Sequence, residues 1–297
     1  MTGGPAPEEE LLEGPSGSIG RNGPDRVSLA LLAAAAALFC LTWAPVAAGL
    51  FEQWLEDPNY RHGLLIPVLS GLILWKRRER LKSAVNGKHH LAGLVLIILS
   101  AVLLVGGTAA SELFTSRLSM PVFIIGAVLL LGGSELAASA AFPLLYLLLA
   151  IPLPYIIYYK LTFPLQILSA RLSAGVLDLL RVSVIRKGNI LSLPNYTLEV
   201  IAACSGLRSL MTMFALSLIL AWLTDMSPAR RAALTVCAVP VAIAANTIRL
   251  TVTAIGAYAV SPAFADGVLH DISGLIVFLS GLTMLLVCRL VLKWTER

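Results

Sequence analysis

The chain has 297 residues, of which 58% are hydrophobic and only 13% are charged. A soluble domain carries about 25% charged residues, so this composition excludes a soluble enzyme and a nucleic-acid-binding domain. The net charge of +5 is concentrated in loops between apolar runs. Such loop charges orient a membrane protein and do not indicate a nucleic-acid partner.

The apolar runs predict an all-α membrane protein. Residues 1–26 are rich in Gly, Pro, Ser and Glu and are expected to form a disordered tail. Residues 27–297 are expected to form one polytopic membrane domain with about eight transmembrane helices, since about 20 helical residues span the hydrocarbon core. The eight runs lie near residues 27–50, 60–75, 91–110, 118–133, 136–152, 204–223, 232–260 and 271–292.

The basic loops set the expected orientation. The densest basic cluster lies within residues 76–90, Arg230-Arg231 mark a second loop, and Lys293 and Arg297 mark the end of the chain. Basic loops remain on the cytoplasmic side, and eight spans with both termini inside satisfy all three. The chain is therefore predicted to lie in the cytoplasmic (inner) membrane. The loops that then face outward are 51–62, 111–119, 153–203 and 261–270.

The longest outward segment is expected to hold an interfacial helix and a short β-rich stretch. Its part 161–181 carries polar residues at helical spacing, which is typical of a helix that lies on the membrane surface. These residues are Thr162, Gln166, Ser169 and Ser173. Further on, Lys187-Gly188-Asn189 and Pro194-Asn195 separate short β-rich runs, so small strands or hairpins are expected before the next span.

Three reactive side chains fall toward the predicted outer face. Cys204 begins the sixth apolar run, Arg249 lies nearer the outer end of the seventh, and His270 stands where the last run begins. The loop charges set the orientation without these residues, so their agreement on one face independently indicates a site there. An arginine at membrane depth costs at least a few kcal/mol and is a functional hypothesis by default; a structural ion pair is the alternative.

The residues that follow Cys204 distinguish it from the other cysteines. Ser205 and Gly206 come directly after it and Arg208 is four residues on, and a thiol near a helix N-terminus and a cation has a lowered pKa. The remaining cysteines, at positions 40, 237 and 288, lie in apolar runs and are expected to pack as small hydrophobes. No cysteine pair has metal-ligand spacing, so no metal site is expected from the cysteines.

Four residues near the predicted site have possible functional roles, and two of them also have a structural interpretation. His270 near Cys204 could act as general base and then as general acid to a leaving amine, or it could be a surface or capping histidine. His62 also faces outward and competes for that role. Asn246, one turn before Arg249, could orient the guanidinium toward a thiolate, a carboxylate or an oxyanion. Glu199 could bind a basic substrate group or be a solvated loop acid.

Four motifs together carry a resemblance to a known family. They are Ala202-Ala203-Cys204-Ser205-Gly206-Leu207-Arg208-Ser209, Asn246-Thr247-Ile248-Arg249-Leu250, His270 with Ser273-Gly274, and Asp57-Pro58-Asn59-Tyr60-Arg61-His62-Gly63. On these motifs the chain resembles the exosortase/archaeosortase family over about residues 50–290. Arg61 stands where that family is expected to have serine.

The resemblance implies a multi-pass membrane cysteine transpeptidase. Members of that family process exported proteins with a C-terminal tail, which consists of a sorting motif (often of the PEP-CTERM kind), one transmembrane helix and a basic end. The family's Cys, Arg and His correspond to Cys204, Arg249 and His270. The acceptor implied is an amine on a lipid or surface polymer, or water, and no cofactor is implied.

A small transporter or exopolysaccharide-assembly membrane protein is the second hypothesis. Arg249 would then bind an anionic substrate within the helix bundle, and Cys204 would be a packing residue. A transporter should tolerate the Cys204→Ser change, whereas a cysteine transpeptidase should not.

Overall fold

The computed structural model describes residues 26–85, 91–200, 206–261 and 268–295. Nine α-helices, two 3-10 helices (Arg61–Leu64 and Leu147–Ala150) and one three-stranded sheet make up the regular structure of these residues. The helices are α1 (Arg26–Glu56), α2 (Leu65–Lys76), α3 (Arg78–Ser83), α4 (Leu91–Ala109), α5 (Leu113–Tyr146), α6 (Tyr155–Leu179), α7 (Leu207–Leu223), α8 (Pro228–Ala259) and α9 (Val268–Trp294). The strands are β1 (Ile185–Lys187), β2 (Ile190–Ser192) and β3 (Thr197–Glu199).

The chain divides into two compact units at residue 45. In the first unit, the predicted disordered tail lies outside the described residues except for Arg26, which already belongs to α1. The described part of that unit is helical, and its Phe39 and Trp43 rings stack with centroids 4.9 Å apart. The second unit, from Val46 onward, contains every other element.

Four helical segments of the described residues are long and apolar enough to cross a membrane. They are Leu91–Ala109, Leu113–Ala150, Pro228–Ala259 and Val277–Trp294. The predicted runs at 60–75 and 204–223 correspond to the shorter α2 and α7, with 12 and 17 residues, fewer than the roughly 20 of a perpendicular crossing. The all-α membrane fold is confirmed, while the count of about eight spans stays a prediction.

The segment Leu113–Ala150 folds back on itself at Gly133. This glycine has φ +84° and ψ 177°, outside the helical region, so α5 consists of two helices joined there. The two ends of the segment return to one place, because Leu113 and Pro152 line the same cavity. A straight helix of 38 residues would separate them by about 57 Å. The reversal falls between the two runs, at 118–133 and 136–152, that the sequence predicts.

α4 packs against the first half of α5 through glycines. A Cβ atom at Gly93 would lie 2.5 Å from the backbone nitrogen of Leu130, and one at Gly107 would lie 2.5 Å from that of Ser116. These two contacts run in opposite directions along the two helices, so the pair is antiparallel. Such close backbone approach through small residues is common between membrane helices.

α6 passes across the N-terminal end of α7. Tyr158 lines a small cavity with Leu207, the first residue of α7. Ser169, eleven residues further along α6, accepts a hydrogen bond from Asn246, whose side chain faces Gly206. Eleven helical residues cover about 16 Å, so both ends of this stretch meet the same end of α7. α6 is not among the candidate spans; its position at the membrane surface stays a prediction.

The polar stripe of α6 faces the protein. Thr162, Ser169 and Ser173 are buried, whereas large apolar side chains such as Phe163 are exposed. Two of the hydroxyls bond to α8: Ser169 Oγ accepts from Asn246 Nδ2 at 3.0 Å, and Ser173 Oγ donates to the carbonyl of Thr247 at 3.4 Å. This polar face is buried because α8 lies against it and bonds to Ser169 and Ser173.

The sheet covers the C-terminal half of α8. Its strands are antiparallel in the order β1-β2-β3. Leu191 and Leu198 are buried against Leu177 of α6 and Leu250 and Ala254 of α8. The β-rich segment that the sequence predicts is therefore confirmed, and it holds α6 and α8 together.

Candidate functional site

A cavity of about 630 Å³ lies between the chain before α2 and the helices α7, α8 and α9. Three arginines line it, namely Arg61, Arg208 and Arg249, and no acidic residue is among its described lining residues. The remaining lining side chains of the three helices are Ser209, Thr212, Met213, Val277 and Phe278. This cavity, which we call the arginine cavity, is therefore strongly cationic and partly apolar.

Arg249 reaches the arginine cavity from the interior of α8. Its exposed fraction is 7%, and it lies within a helical segment long and apolar enough to cross a membrane. α8 contains no Asp or Glu, so the helix itself supplies no counter-charge. Burying a guanidinium is costly, which makes such a residue a marker of function.

Gly206 shapes the start of α7 beside α8. Its backbone has φ +86° and ψ −3°, in the left-handed region that glycine favours. A Cβ atom at this position would lie 3.0 Å from the Asn246 side chain. Glycine is therefore required both by the turn and by the close approach of α8. The first N–H groups of α7 have no partner within the helix and carry the positive end of its dipole.

Arg208 connects the arginine cavity to the chain before α2. Its Nε donates a hydrogen bond to Asn59 Oδ1 at 3.2 Å. Pro58 and Arg61, on either side of Asn59, line the arginine cavity as well. Sequence reasoning did not single out Arg61 or Asn59 as site residues; the motif Asp57–Gly63 was the available signal.

Asn246 is fully buried and ties α8 to α6. Its Nδ2 donates to Ser169 Oγ at 3.0 Å, and its side chain packs beneath Gly206. It is not among the residues that line the arginine cavity. Its predicted role in orienting Arg249 stays a prediction.

Cys204 and Ser205 lie outside the described residues. The backbone of His270 belongs to the first turn of α9, but its side chain is likewise outside the described part. Gly274, one helical turn after His270, lines the arginine cavity. Residues from each of the three C-terminal motifs, namely Arg208, Arg249 and Gly274, therefore meet at one cavity.

His62 and Glu199 are not brought to the arginine cavity. His62 lies in the 3-10 turn Arg61–Leu64, where burial lowers the pKa of its imidazole and favours the neutral form. Glu199 is exposed on β3. Neither is among the residues that line the arginine cavity, although Arg61 next to His62 is. The described residues also contain no group of three or more His, Cys, Asp or Glu that could hold a metal ion.

The fold and the site define a polytopic α-helical membrane protein with a cationic cavity where three helices and the segment before α2 meet. The family model for the transmembrane exosortases matches residues 54–287, and the chain belongs to that family. Among curated proteins and among solved structures, no match to the chain is found.

Proposed function

We propose that the protein is a membrane-embedded cysteine protease and transpeptidase. It cleaves PEP-CTERM-like C-terminal sorting tails of exported proteins at the outer face of the cytoplasmic membrane. The observation that carries this proposal is the arginine cavity, because residues of all three reactive motifs line it. Membership of the transmembrane exosortase family supports the same reaction class.

The nucleophile is Cys204. It precedes Gly206 by two residues, and two residues of extended chain reach at most about 7 Å, so the covalent chain keeps the thiol near the start of α7. The helix N-terminus and the nearby cation Arg208 both favour the thiolate, which is the attacking form. Ser205 belongs to the same connection.

The reaction is acyl transfer through a thioester. The Cys204 thiolate attacks the carbonyl carbon of the peptide bond just outside the substrate's transmembrane helix. Arg249 stabilises the resulting oxyanion with its fixed N–H donors. His270 protonates the leaving amine as the C–N bond breaks. An amine or water then attacks the thioester, and Cys204 leaves again as a thiolate.

The substrate is an exported protein whose tail combines a sorting motif, one transmembrane helix and a basic end. The tail helix enters from the lipid, and its basic end remains on the cytoplasmic side. The cationic lining of the arginine cavity suits an anionic group of the sorting motif, since a guanidinium binds carboxylates with two parallel hydrogen bonds. Residues 153–203 and the loop before α2 then face the exported part of the substrate.

A second candidate function rests on the same cavity. A transporter or an exopolysaccharide-assembly protein would use Arg61, Arg208 and Arg249 to bind an anionic substrate without covalent chemistry. In that case Cys204 would have no chemical role.

The test is processing of a reporter protein that carries a complete sorting tail, co-expressed with the chain. Cys204→Ala and Cys204→Ser should abolish cleavage while the protein still accumulates. Cys237→Ala is the matched control, because Cys237 lies within apolar α8, and it should cleave at the wild-type rate. Cleavage by either Cys204 variant would show that Cys204 is not the required nucleophile, and absence of cleavage by the wild type would favour the transporter.

A further inference from the structure

A second cavity, of about 420 Å³, lies beside the first turns of α5 and α6. Four tyrosines line it, and we call it the tyrosine cavity. They are Tyr60, Tyr155, Tyr158 and Tyr159. The charged residues in its lining are Asp57, Glu112 and Arg117, which give a net formal charge of −1. The described lining of the arginine cavity has a net formal charge of +3.

Two of these three charged side chains, Glu112 and Arg117, each form at least two hydrogen bonds within the protein. The Glu112 carboxylate accepts hydrogen bonds from the backbone N–H groups of Phe114 and Thr115 at 3.2 and 2.6 Å, and it thereby caps α5. A hydrogen bond from the Thr115 side chain also holds the pKa of Glu112 below its ordinary value. Arg117 donates to Gln53 Oε1 and to the carbonyl oxygen of Gly49.

Asp57 differs from both. Its carboxylate accepts one hydrogen bond, from the backbone N–H of Asn59 at 2.8 Å, and it forms no salt bridge with any residue in the described part of the chain. Asp57 is only partly exposed. The tyrosine cavity therefore contains a carboxylate with unused acceptor capacity and no cation committed to it.

The tyrosine rings supply a second attraction for a cation. The Tyr60 and Tyr158 centroids are 6.3 Å apart, those of Tyr158 and Tyr159 are 6.0 Å apart, and those of Tyr155 and Tyr159 are 4.3 Å apart. Burial raises the pKa of Tyr60 to about 12, so its phenol remains uncharged. The faces of such rings attract an ammonium group within about 6 Å. A carboxylate beside several aromatic rings therefore offers an ammonium ion both a charged hydrogen-bond acceptor and aromatic ring faces.

The tyrosine cavity lies one layer of side chains from the arginine cavity. Asn59, Tyr60 and Tyr158 also line a gap of about 10 Å³, whose opposite wall includes Leu207 and Arg208. That volume corresponds to about one water molecule. Arg208 in turn lines the arginine cavity, and its hydrogen bond to Asn59 crosses the boundary.

We infer that the tyrosine cavity binds the ammonium group of the acceptor, a primary amine, that resolves the thioester. This inference rests on the proposed function and names the class of its second substrate. The acyl donor binds in the arginine cavity, and the amine binds in the tyrosine cavity. Because the two cavities carry opposite net charge, the two substrates bind in separate places. For the amine to reach the thioester, the side chains at the gap beside Leu207 and Arg208 must move apart, since the gap holds only about one water molecule.

The transfer step balances without any further reactant. The bound ammonium loses one proton to solvent, and the amine nitrogen then forms the new C–N bond with the thioester carbonyl carbon. The C–S bond breaks and its electron pair returns to the Cys204 sulfur. The second nitrogen-bound proton passes to His270. Asp57 binds the acceptor and takes no part in these bond changes.

The experiment compares two nucleophiles on the full chain in detergent micelles with a tail-bearing substrate. Ethanolamine is a cation at neutral pH and should use the tyrosine cavity, whereas hydroxylamine is mostly uncharged and should not. The measured quantity is the ratio of ethanolamide to hydroxamate product. The variant is Asp57→Asn, which retains the acceptor oxygen for Asn59, and the control is Glu56→Gln, an exposed acid one residue away.

The expected ratio falls about tenfold in Asp57→Asn, in line with the loss of one hydrogen bond to a charged group, and is unchanged in Glu56→Gln. Equal ratios in both variants overturn the inference, as does a wild-type enzyme that yields hydroxamate but no ethanolamide. If Asp57→Asn does not accumulate, Tyr159→Leu is compared with Tyr258→Leu, a similarly exposed tyrosine outside the cavity. Absence of hydroxamate from the wild type contradicts the thioester itself, and therefore the proposed function instead.

Discussion

The α4–α5 pair and α8 are both apolar enough to cross a membrane, yet they bury different chemistry. In the apolar windows of α4 and of Leu113–Ala150, 17% of the residues are buried, against 44% in α8. The contacts between α4 and α5 are made by glycine backbones, and the buried guanidinium of Arg117 in α5 bonds to α1 instead. The interior of α8 instead contains an amide, several threonine hydroxyls and the guanidinium of Arg249.

This difference separates two requirements on membrane helices. Helices that only need to associate do so through small residues, because lipid already satisfies their apolar side chains. Helices that serve a reaction bring polar groups together at a cost in free energy. Under the proposed function, the arginine cavity lies on the second kind of surface.

The largest effect is expected at Arg249. Arg249→Gln removes the charge and the fork of donors while leaving a neutral side chain that is easier to bury. Processing of a tail-bearing reporter should fall about 10²–10³-fold, the usual loss for an oxyanion donor. Arg230→Gln, at the start of the same helix, loses an exposed guanidinium and should process normally. Normal processing by Arg249→Gln would break the assignment of α8 as the reactive helix.

A substitution in the contact between α4 and α5 should lower the stability of the protein and leave the processing reaction unchanged. Gly93→Val places a side chain 2.5 Å from the Leu130 backbone, so the helices must separate. The free energy of unfolding should drop by about 1–3 kcal/mol, as for other overpacked sites, with unchanged processing per folded molecule. Gly106→Val in the same helix meets nothing within 4 Å and is the control. Thermal unfolding in detergent would contradict this prediction if the two variants melted together.

Gly206 is where the two requirements coincide, and its expected effect is smaller. Gly206→Ala forces a Cβ into a backbone with φ +86° and against Asn246, at a cost of about 1–2 kcal/mol. Processing should fall about tenfold, because the start of α7 shifts. Gly188→Ala has the same kind of strain, with φ +63° in the β1–β2 turn and open space around it. Equal processing by both variants would mean that backbone strain at α7 is irrelevant to the site.

The smallest effect is expected at His62, a partly buried polar residue outside the arginine cavity. Burial lowers its pKa below the ordinary 6.5, so the unfolded chain takes up the proton first as the pH falls. Stability is therefore lost as the pH drops below about 6.5, and His62→Gln should reduce that loss. The comparison is thermal unfolding at neutral and at mildly acidic pH, and processing should remain within a few-fold of wild type. A complete loss of processing would instead indicate that His62, and not His270, acts as the acid–base group.

Much of the architecture follows from local pattern. The lengths of the apolar runs predict α4, α8 and α9, and the turn residues after Lys187 predict the small sheet. Arg249 stands out because a charged residue interrupts an apolar run. These features depend on residues that are close together in the chain, and they can therefore be predicted from the sequence alone.

The remaining features depend on which surfaces meet. The spacing of Thr162 and Ser169 shows a polar stripe, but only the packed structure shows that α8 lies against it. Arg61 is an ordinary loop arginine until α7 and α8 bring Arg208 and Arg249 beside it. Gly133 reads as one of several glycines until its backbone reverses the chain.

The length of α8 has a consequence for where a substrate can be cut. Arg249 lies 21 residues beyond Pro228, about 32 Å along the helix axis, which nearly equals the roughly 30 Å of hydrocarbon. If Pro228 lies at the inner edge of the membrane, as the basic pair Arg230-Arg231 predicts, the guanidinium lies at the outer edge. Under the proposed function, α8 would then hold the site at a fixed distance from the inner membrane surface and favour tails whose anchoring helix has the matching length.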